Sequence, residues 1–328
     1  MSKSVKMADI AKKLNVSIVS VSKALSGKDG VSSDTRQKIL DAADQMGYLK
    51  VSAKNNGLEQ ETVVIIVSEK FFGDSSFYSN MYNTLLQKLN SEGYTTLLEI
   101  VSDIREKANY IPPALNKKGV VSIIYMGEIS RSYINEISKK GIPYFFLDFY
   151  DANYNINSII SDSMIGSYLL TKHLIDKGLK DITFVGSISQ TSSIMDRYLG
   201  YCKAMTLSGN QEFIKHIEDR DECGRFLKIN LPDKLPEGYF CNCDEVAFRL
   251  IQNLRDKNVN VPNDVSVIGF DGSIIGEIST PAITTYKVDI PAMTQLAVFM
   301  VNMLLKHKNL VPRRTVVPGT VVLRDSSK

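Results

Sequence analysis

No stretch of this 328-residue sequence is apolar over the ~18 residues that a membrane-spanning helix needs. The most apolar late segment, Leu296 to Leu305, is broken by Asn302 and flanked by Gln295 and Lys306. The opening MSKSVKMADIAKKL has no apolar core of a secretory signal, so a cytoplasmic location without membrane contact is expected. Cysteine is scarce: Cys202, Cys223, Cys241 and Cys243. Cys241 and Cys243 stand one residue apart in the apolar run GYFCNC, which is not zinc spacing, so reduced core thiols and no metal are expected. The three histidines, His173, His216 and His307, are scattered without an evident nucleophile beside them. No GxGxxG, Walker A or GxSxG motif occurs. These absences argue against an enzyme: no catalytic residue and no cofactor is assigned.

What is present begins with charge. The net charge of +3 says little by itself, but residues 1–60 hold ten basic against six acidic side chains, while the remainder holds 29 against 30. The whole excess lies in the N-terminal fifth, the pattern of a nucleic-acid-contacting module attached to a neutral domain.

That fifth reads as helices. Ala8, Ile10, Ala11 and Leu14 make an apolar stripe over Met7 to Leu14. Asn15-Val16-Ser17 interrupts it, and Ser17 is a good N-cap for a second helix from Ile18 to Leu25. Val21, Ala24 and Leu25 then point inward and leave Ile18, Val19, Ser22 and Lys23 outward. A third helix, capped by Ser33 or Asp34, carries Ile39, Leu40, Ala43 and Met46 on its core face and stops at Gly47. Two short helices about a three-residue turn form a helix-turn-helix. Apolar Ile18 and Val19 at an exposed helix start suit a major groove, where thymine methyls offer apolar contacts. Ser22 and Lys23 are one turn on, and Ser32 and Arg36 are placed for phosphate. The candidate DNA-binding set is therefore Ser17, Ile18, Val19, Ser22, Lys23, Ser32 and Arg36.

The runs MADIAKKLNVSIVSVSKALSG and VSSDTRQKILDAADQMGY resemble the N-terminal signature of the LacI/GalR family of regulators. The resemblance implies a lambda-repressor-like three-helix DNA-binding domain and a homodimer reading a pseudo-palindromic double-stranded operator. It also implies a hinge in the polar stretch 49–61, with Ser52, Ala53, Asn56 and Leu58 as its candidates. There the sequence departs from the family pattern. Lys50 and Val51 replace Pro-Asn, Lys54 stands at the usual alanine and Gly57 at the usual leucine. Either Leu58 becomes the minor-groove wedge through a shifted helix, or the hinge lacks a full wedge, or the stretch is a flexible linker.

From Thr62 strands and helices alternate: TVVIIV, a helix to Ser91, Thr95–Val101, Val120–Tyr125, a helix from Tyr133 and PYFFL. The rhythm repeats after Asn157. This predicts an α/β fold of parallel sheets in two similar lobes with a ligand cleft at the carboxyl ends of the strands. Asp148, Asp162, Asp244 and Asp271 sit there. Arg197 follows a serine-rich loop from Ser187 to Ser193. Phe71, Phe72, Phe77, Tyr78, Tyr125, Phe149 and Tyr150 gather at strand exits. Carboxylates and an arginine beside aromatic faces suit a carbohydrate. Any one of these acids could instead cap a helix.

The segments IISDSMIGSYLLTKHLIDKGLKDITFVG, VPNDVSVIGFDG and STPAITTYKVD also resemble the family's sensor domain, which shares a two-lobed type I periplasmic-binding-protein fold. The resemblance implies effector contacts near Phe77, Tyr78, Ser193, Arg197, Asp244 and Asp271, with Asp148 and Asp162 near the cleft. With Tyr125 and Cys243 these make a candidate effector set of ten residues. Cys243 stands where the family has Asn, and Ser163 where it has Asn. The Phe71 to Ser76 loop is longer than usual. A ligand larger or more stacked than a hexose, such as a plant-derived oligosaccharide, is expected.

The expected domains are thus 1–48, a linker 49–61 and a sensor 62–328. Its first lobe is 62–157 with 286–311, and its second 158–285 with 312–328. The function expected is that of a transcription regulator, a repressor of carbohydrate-utilisation genes controlled by a small sugar-like effector. Induction and corepression both remain open. The alternatives are a regulator with a ligand-blind sensor, a solute-binding protein and a sugar-modifying enzyme.

Overall fold

The computed structural model describes residues 7–25, 30–46, 61–72, 76–307 and 311–328. The hinge candidates Ser52, Ala53, Asn56 and Leu58, with Gly47, Lys50, Val51, Lys54 and Gly57, lie outside the described residues. The chain divides into two units, residues 1–61 with 91–95, and residues 62–90 with 96–328. Among the described residues no helix is long and apolar enough to cross a membrane.

The small unit is three helices, α1 (Met7–Leu14), α2 (Ile18–Leu25) and α3 (Ser33–Gln45). Ile10 and Ala11 of α1, Val21 and Ala24 of α2, and Ile39, Ala42 and Ala43 of α3 form its core, with Leu14 and Met46 packed at the edge. α2 starts where it does because the Ser17 hydroxyl accepts the Ser20 amide at 3.0 Å, a cap worth about 1 kcal/mol. The cap of α3 differs from expectation. Ser32, rather than Ser33 or Asp34, accepts the Thr35 amide at 3.3 Å, because the helix begins one residue earlier than the apolar stripe suggests.

The large unit has two sheets. The first begins with β1 (Thr62–Ser68), whose residues are all buried, as expected of a parallel strand covered on both faces. It continues with β2 (Thr95–Val101), β3 (Val120–Met126), β4 (Tyr144–Leu147), β5 (Ser158–Ser161) and β11 (Arg314–Val317), in the order β11-β5-β4-β3-β1-β2. The second comprises β6 (Ile182–Val185), β7 (His216–Ile217), β8 (Gly238–Cys241) and β9 (Ser266–Ile268), in the order β7-β6-β8-β9, all parallel. A short antiparallel pair, β10 (Thr285–Lys287) with β12 (Thr320–Val322), completes the strands.

The helices that matter for the cleft are α4 (Glu69–Phe72) and α5 (Ser76–Ser91) after β1, α8 (Ser163–Asp176) after β5 and α9 (Ser192–Leu207) after β6. α10 (Asp244–Asp256) follows β8 and α11 (Ile274–Ile278) follows β9. α12 (Ile290–Lys306) precedes β11. Two short helices remain on the first lobe, α6 (Asp103–Lys107) and α7 (Arg131–Ser138).

Strands β5 and β11 were not expected as strands, since four residues each show no usable alternation. Their pairing carries the first lobe on to Ser161 and Val317, so the crossings expected near Asn157 and Pro312 lie later. The third lies past Lys287 rather than at Thr285, because β10 bridges to the second sheet through Ile268 with Thr284 and Asp271 with Lys287. Two crossings are marked by helix caps. Asp162 accepts the Ile165 amide at 3.2 Å and Asp289 the Ala292 amide at 2.9 Å. The Asp162 amide donates to the Val317 carbonyl at 2.9 Å, tying one crossing to another.

Helices α8 and α9 pack at Gly200. A Cβ there would stand 2.2 Å from the Met164 carbonyl oxygen and 2.8 Å from the Ser167 Cβ. Gly200→Ala should therefore lower unfolding stability by about 1–3 kcal/mol through overpacking. Urea unfolding measures this, and an unchanged or higher midpoint would contradict such close helix approach.

Candidate functional site

The small unit presents one unusual face. At the start of α2, Ile18 is 54% and Val19 64% exposed, while Val21 and Ala24 on the same helix are buried. Ser22 and Lys23 are exposed and Arg36 half-buried. The hydroxyls of Ser17 and Ser32 are engaged as helix caps, with Ser32 also donating to Thr35 Oγ1 at 2.8 Å. Apolar side chains at a capped helix start expose a surface that water solvates poorly and that a groove lined with methyl groups would cover.

The large unit holds a cavity of about 820 Å³, counting its open mouth, between the two sheets' carboxyl ends. Seven of the ten expected effector residues line it: Phe77, Tyr78, Asp148, Ser193, Arg197, Cys243 and Asp271. From the first lobe, Tyr78 on α5 donates its hydroxyl to Asp148 Oδ2 at 2.8 Å, and the other oxygen of Asp148 is buried with no partner. From the second lobe, Arg197 on α9 donates from Nη1 to the Asn242 carbonyl at 2.6 Å. Its Nη2 stands 3.1 Å from Asp271 Oδ1, an ion-pair distance without hydrogen-bond alignment. The guanidinium lies 4.1 Å over the Phe270 ring, and its Nε is buried without an acceptor. Buried donors and acceptors left unused in a cavity wall are costly without a ligand or water to complete them.

Asp148 and Asp271 occupy matching places, each just past the end of a strand with positive φ, +66° and +99°. Such a backbone costs ~1–3 kcal/mol for a residue other than glycine. It is held by the Asp148 amide on the Ile159 carbonyl at 2.8 Å and the Asp271 amide on the Tyr286 carbonyl at 2.9 Å. Burial pushes the Asp148 carboxyl up to about 7, with Arg197 and the Tyr78 hydroxyl pulling the other way. Burial also raises Asp271, against the pull of Arg197 and Arg220. Burial pushes the Cys243 thiol up to about 12, so it faces the cleft as a neutral group.

Three expected residues do not line the cavity. Tyr125 is buried in the first lobe's core, edge-on to Tyr144 and Phe146. Asp162 caps α8 at a crossing. Asp244 is a clamp. Its Oδ2 accepts the Ser273 amide at 2.7 Å, and a Cβ at Gly269 or Gly276 would meet its carboxylate at 2.3 or 3.0 Å. Burial, then the neighbouring Asp271, push its carboxyl up to about 7. Conversely, the cavity includes Arg220, Phe226, Gln190, Asn242 and Lys70, which were not foreseen. Arg220 and Phe226 come from a polar stretch with no periodicity to read, and the adjoining β7 is two residues long. Among the described residues no cluster of His, Cys, Asp or Glu suits a metal, and all four cysteines are free.

Comparison with known proteins follows the same division. Residues 6–50 match the family model described as bacterial regulatory proteins, lacI family, and residues 171–327 match the periplasmic binding protein-like domain. The HTH-type transcriptional regulator RegA of Clostridium saccharobutylicum is 31% identical, over 97% of this chain and 98% of that protein. Among solved structures, a transcriptional regulator CelR–cellobiose complex aligns with TM-score 0.69 at 18% identity, over 99% of this chain and 100% of that one. The lac repressor dimer bound to operator and the anti-inducer ONPF aligns with TM-score 0.70 at 20% identity, over 99% of both chains. At these identities the structures speak to the fold.

The buried acids set a pH dependence for the ligand-free protein. An aspartate in the unfolded chain ionises near ~3.9, whereas Asp148 and Asp244 are held up to about 7. Between these values the native state holds protons that the unfolded chain has released. Stability should therefore be greatest toward the acid end of this window and be lost as pH rises through about 7. Asp148→Asn should flatten part of the slope. Urea unfolding at pH 5 to 8 tests this, and stability that climbs with pH across that range would refute it.

Proposed function

The chain belongs to the LacI family of bacterial regulatory proteins, and from that premise we propose that it is a sequence-specific DNA-binding repressor of carbohydrate-utilisation genes whose operator affinity follows a sugar-like effector held between the lobes. Residues 1–48 bind DNA, 49–61 connect and 62–328 sense. Ile18, Val19, Ser22, Lys23 and Arg36 are the side chains that meet the operator. Ser17 and Ser32 act by capping the helices that carry them. The protein works as a homodimer on a pseudo-palindrome, in keeping with the lac repressor dimer solved on its operator. The cellobiose held by the CelR structure supports a carbohydrate effector.

The observation that carries the reading is a cavity wall holding an acid and a guanidinium from opposite lobes, Asp148 and Arg197, each with a buried polar atom, Oδ1 and Nε, that has no partner. A polyhydroxy ligand supplies donor and acceptor together, so one hydroxyl-bearing ring can complete both lobes at once. A ligand of that kind bridges the lobes and binds one interlobe angle better than another. Only such a difference in affinity shifts a regulator between states. Tyr150, past β4, donates to Asp196 Oδ1 at 2.9 Å, and the Ser192 amide donates to Glu128 Oε2 at 2.7 Å, so the lobes already touch at one side of the cleft. The relatives are regulators, which favours binding over catalysis.

Selection from a random duplex pool should return a pseudo-palindromic site. Val19→Ser should relax its sequence preference at one position per half-site by about 1–3 kcal/mol. A sugar that raises the melting temperature should change affinity for that site by about tenfold or more. Arg197→Ala should abolish both responses. Recovery of no preferred sequence would sink the regulator. A site indifferent to every stabilising sugar would sink the effector.

A further inference from the structure

The two arginines of the cleft are not alike. Arg197 has a carbonyl, a carboxylate and an aromatic face around it. Arg220 is also largely enclosed, its side chain 15% exposed, yet its partners are poor. Its Nη2 reaches only the Cys243 sulfur at 3.8 Å, a weak acceptor that burial keeps neutral. Its Nε is 3.7 Å from Asp219 Oδ2, beyond hydrogen-bond reach. Asp219 is already engaged, accepting the Ser187 amide at 2.7 Å and Asn242 Nδ2 at 2.9 Å. The Phe226 ring, 4.7 Å from the guanidinium carbon, holds the side chain against the wall. Of the other acids of the wall, Glu245 pairs with Arg249 at 2.9 Å, and Asp271, 3.1 Å from Arg197 Nη2, acts electrostatically on both arginines without hydrogen-bonding Arg220.

From the first lobe, Lys70 on α4 lines the same cavity. Its stem lies against the loop that carries Arg220, since a Cβ at Gly224 would sit 3.4 Å from Lys70 Cδ. Its ammonium lies 4.9 Å from the Phe71 ring centre. The cleft thus combines a guanidinium with donors to spare and a lysine from the facing lobe. Asp148 and Arg197, which line it too, suit neutral hydroxyls.

Resting on the reading of the cleft as a sugar site, we infer that the effector is an acidic sugar whose carboxylate or phosphate oxygens dock on Arg220, with Lys70 closing from the opposite lobe. A planar guanidinium can bind two oxygens of one anionic group side by side, which a lone hydroxyl cannot match. Arg220 therefore determines specificity for charge, while Asp148 and Arg197 hold the ring.

The test is calorimetry and thermal shift on the full chain. The ligands are hexuronates (galacturonate and digalacturonate), glucose 6-phosphate, the neutral sugars galactose, glucose and cellobiose, and inorganic phosphate. At least one acidic sugar should bind about tenfold or more tightly than its neutral counterpart, and which one does so identifies carboxylate or phosphate as the source. Added NaCl should weaken the acidic ligand more than any neutral one. Arg220→Gln should lower affinity for the acid about tenfold or more, and by a larger factor than it lowers affinity for any neutral sugar. Arg220→Lys, which keeps the charge, should restore part of the loss and so separates recognition from folding. Equal binding of acidic and neutral sugars, or an acid affinity untouched in Arg220→Gln, overturns the inference and leaves the sugar cleft standing. Inorganic phosphate binding as tightly as the sugar phosphate also overturns it. Binding by no member of the panel overturns both.

Discussion

Arg197 carries its charge at 5% exposure, and a buried guanidinium destabilises a fold unless its surroundings neutralise it and fill its hydrogen bonds. Here the surroundings are the ends of the second lobe's strands. The Asn242 carbonyl past β8 and the Asp271 carboxylate past β9 face Nη1 and Nη2, and the Phe270 ring lies under the plane. Asn242 is itself fixed by its side-chain amide on the Val185 carbonyl at 3.0 Å and on Asp219 Oδ2 at 2.9 Å. Asp219 in turn holds the Ser187 amide. One buried charge therefore sets the positions of three strand ends and of the loop leading to Arg220. Its own Nε is buried without a partner. The wall is organised before any ligand arrives, which lowers the ordering cost of binding.

The first lobe is organised differently. Its cavity face is aromatic, with Phe71, Phe77 and Tyr78 from α4 and α5 grouped at ring separations of 5.2 and 5.6 Å about Tyr78. Its one acid, Asp148, is tied to Tyr78 rather than to a cation. A ligand in the cleft thus meets flat apolar faces from one side and fixed charges from the other. Differential binding between open and closed states follows from that asymmetry. Stacking is available from the first lobe alone, whereas the hydrogen bonds of Asp148 and Arg197 are completed together only when the lobes share one ligand.

The helix-turn-helix was legible to the residue because every signal for it is local. An apolar stripe, a serine cap and an interrupting Asn-Val-Ser fix α1 and α2 within a few positions, and the outward Ile18 and Val19 follow from the same periodicity. The alternation of strands and helices was equally plain where strands were long and β-branched. It failed at β5 and β11, which are four residues each, and β11 joins the first sheet only through a pairing with β5 more than 150 residues away in sequence. Arg220 and Phe226 were illegible for a related reason. They are brought to the cleft by a loop anchored on Asp219 and Ser187, and nothing within that loop announces where it goes.

The acids after the strands show where sequence reading stops and geometry begins. Asp148, Asp162, Asp244 and Asp271 look alike in the chain, each following an apolar run. Asp162 has φ −77°, the helix starts at the next residue, and its carboxylate turns back onto an amide of the first turn. Asp244 already lies in the first turn of α10, and its carboxylate goes sideways to the Ser273 amide. Asp148 and Asp271 have positive φ, and in neither case does a helix begin at the next residue. No first-turn amide is then in reach, and the carboxylate is left facing the cavity. Asp271 carries a mark of this in its sequence, the following Gly272, which itself has φ +68°. Asp148 carries none, since Phe149 and Tyr150 follow it. Its backbone is set by the Ile159 carbonyl on the neighbouring strand, a partner that becomes its neighbour only when the sheet has formed. The role of each acid is thus decided by the backbone conformation at the strand's end, which the sheet imposes on the residue from outside.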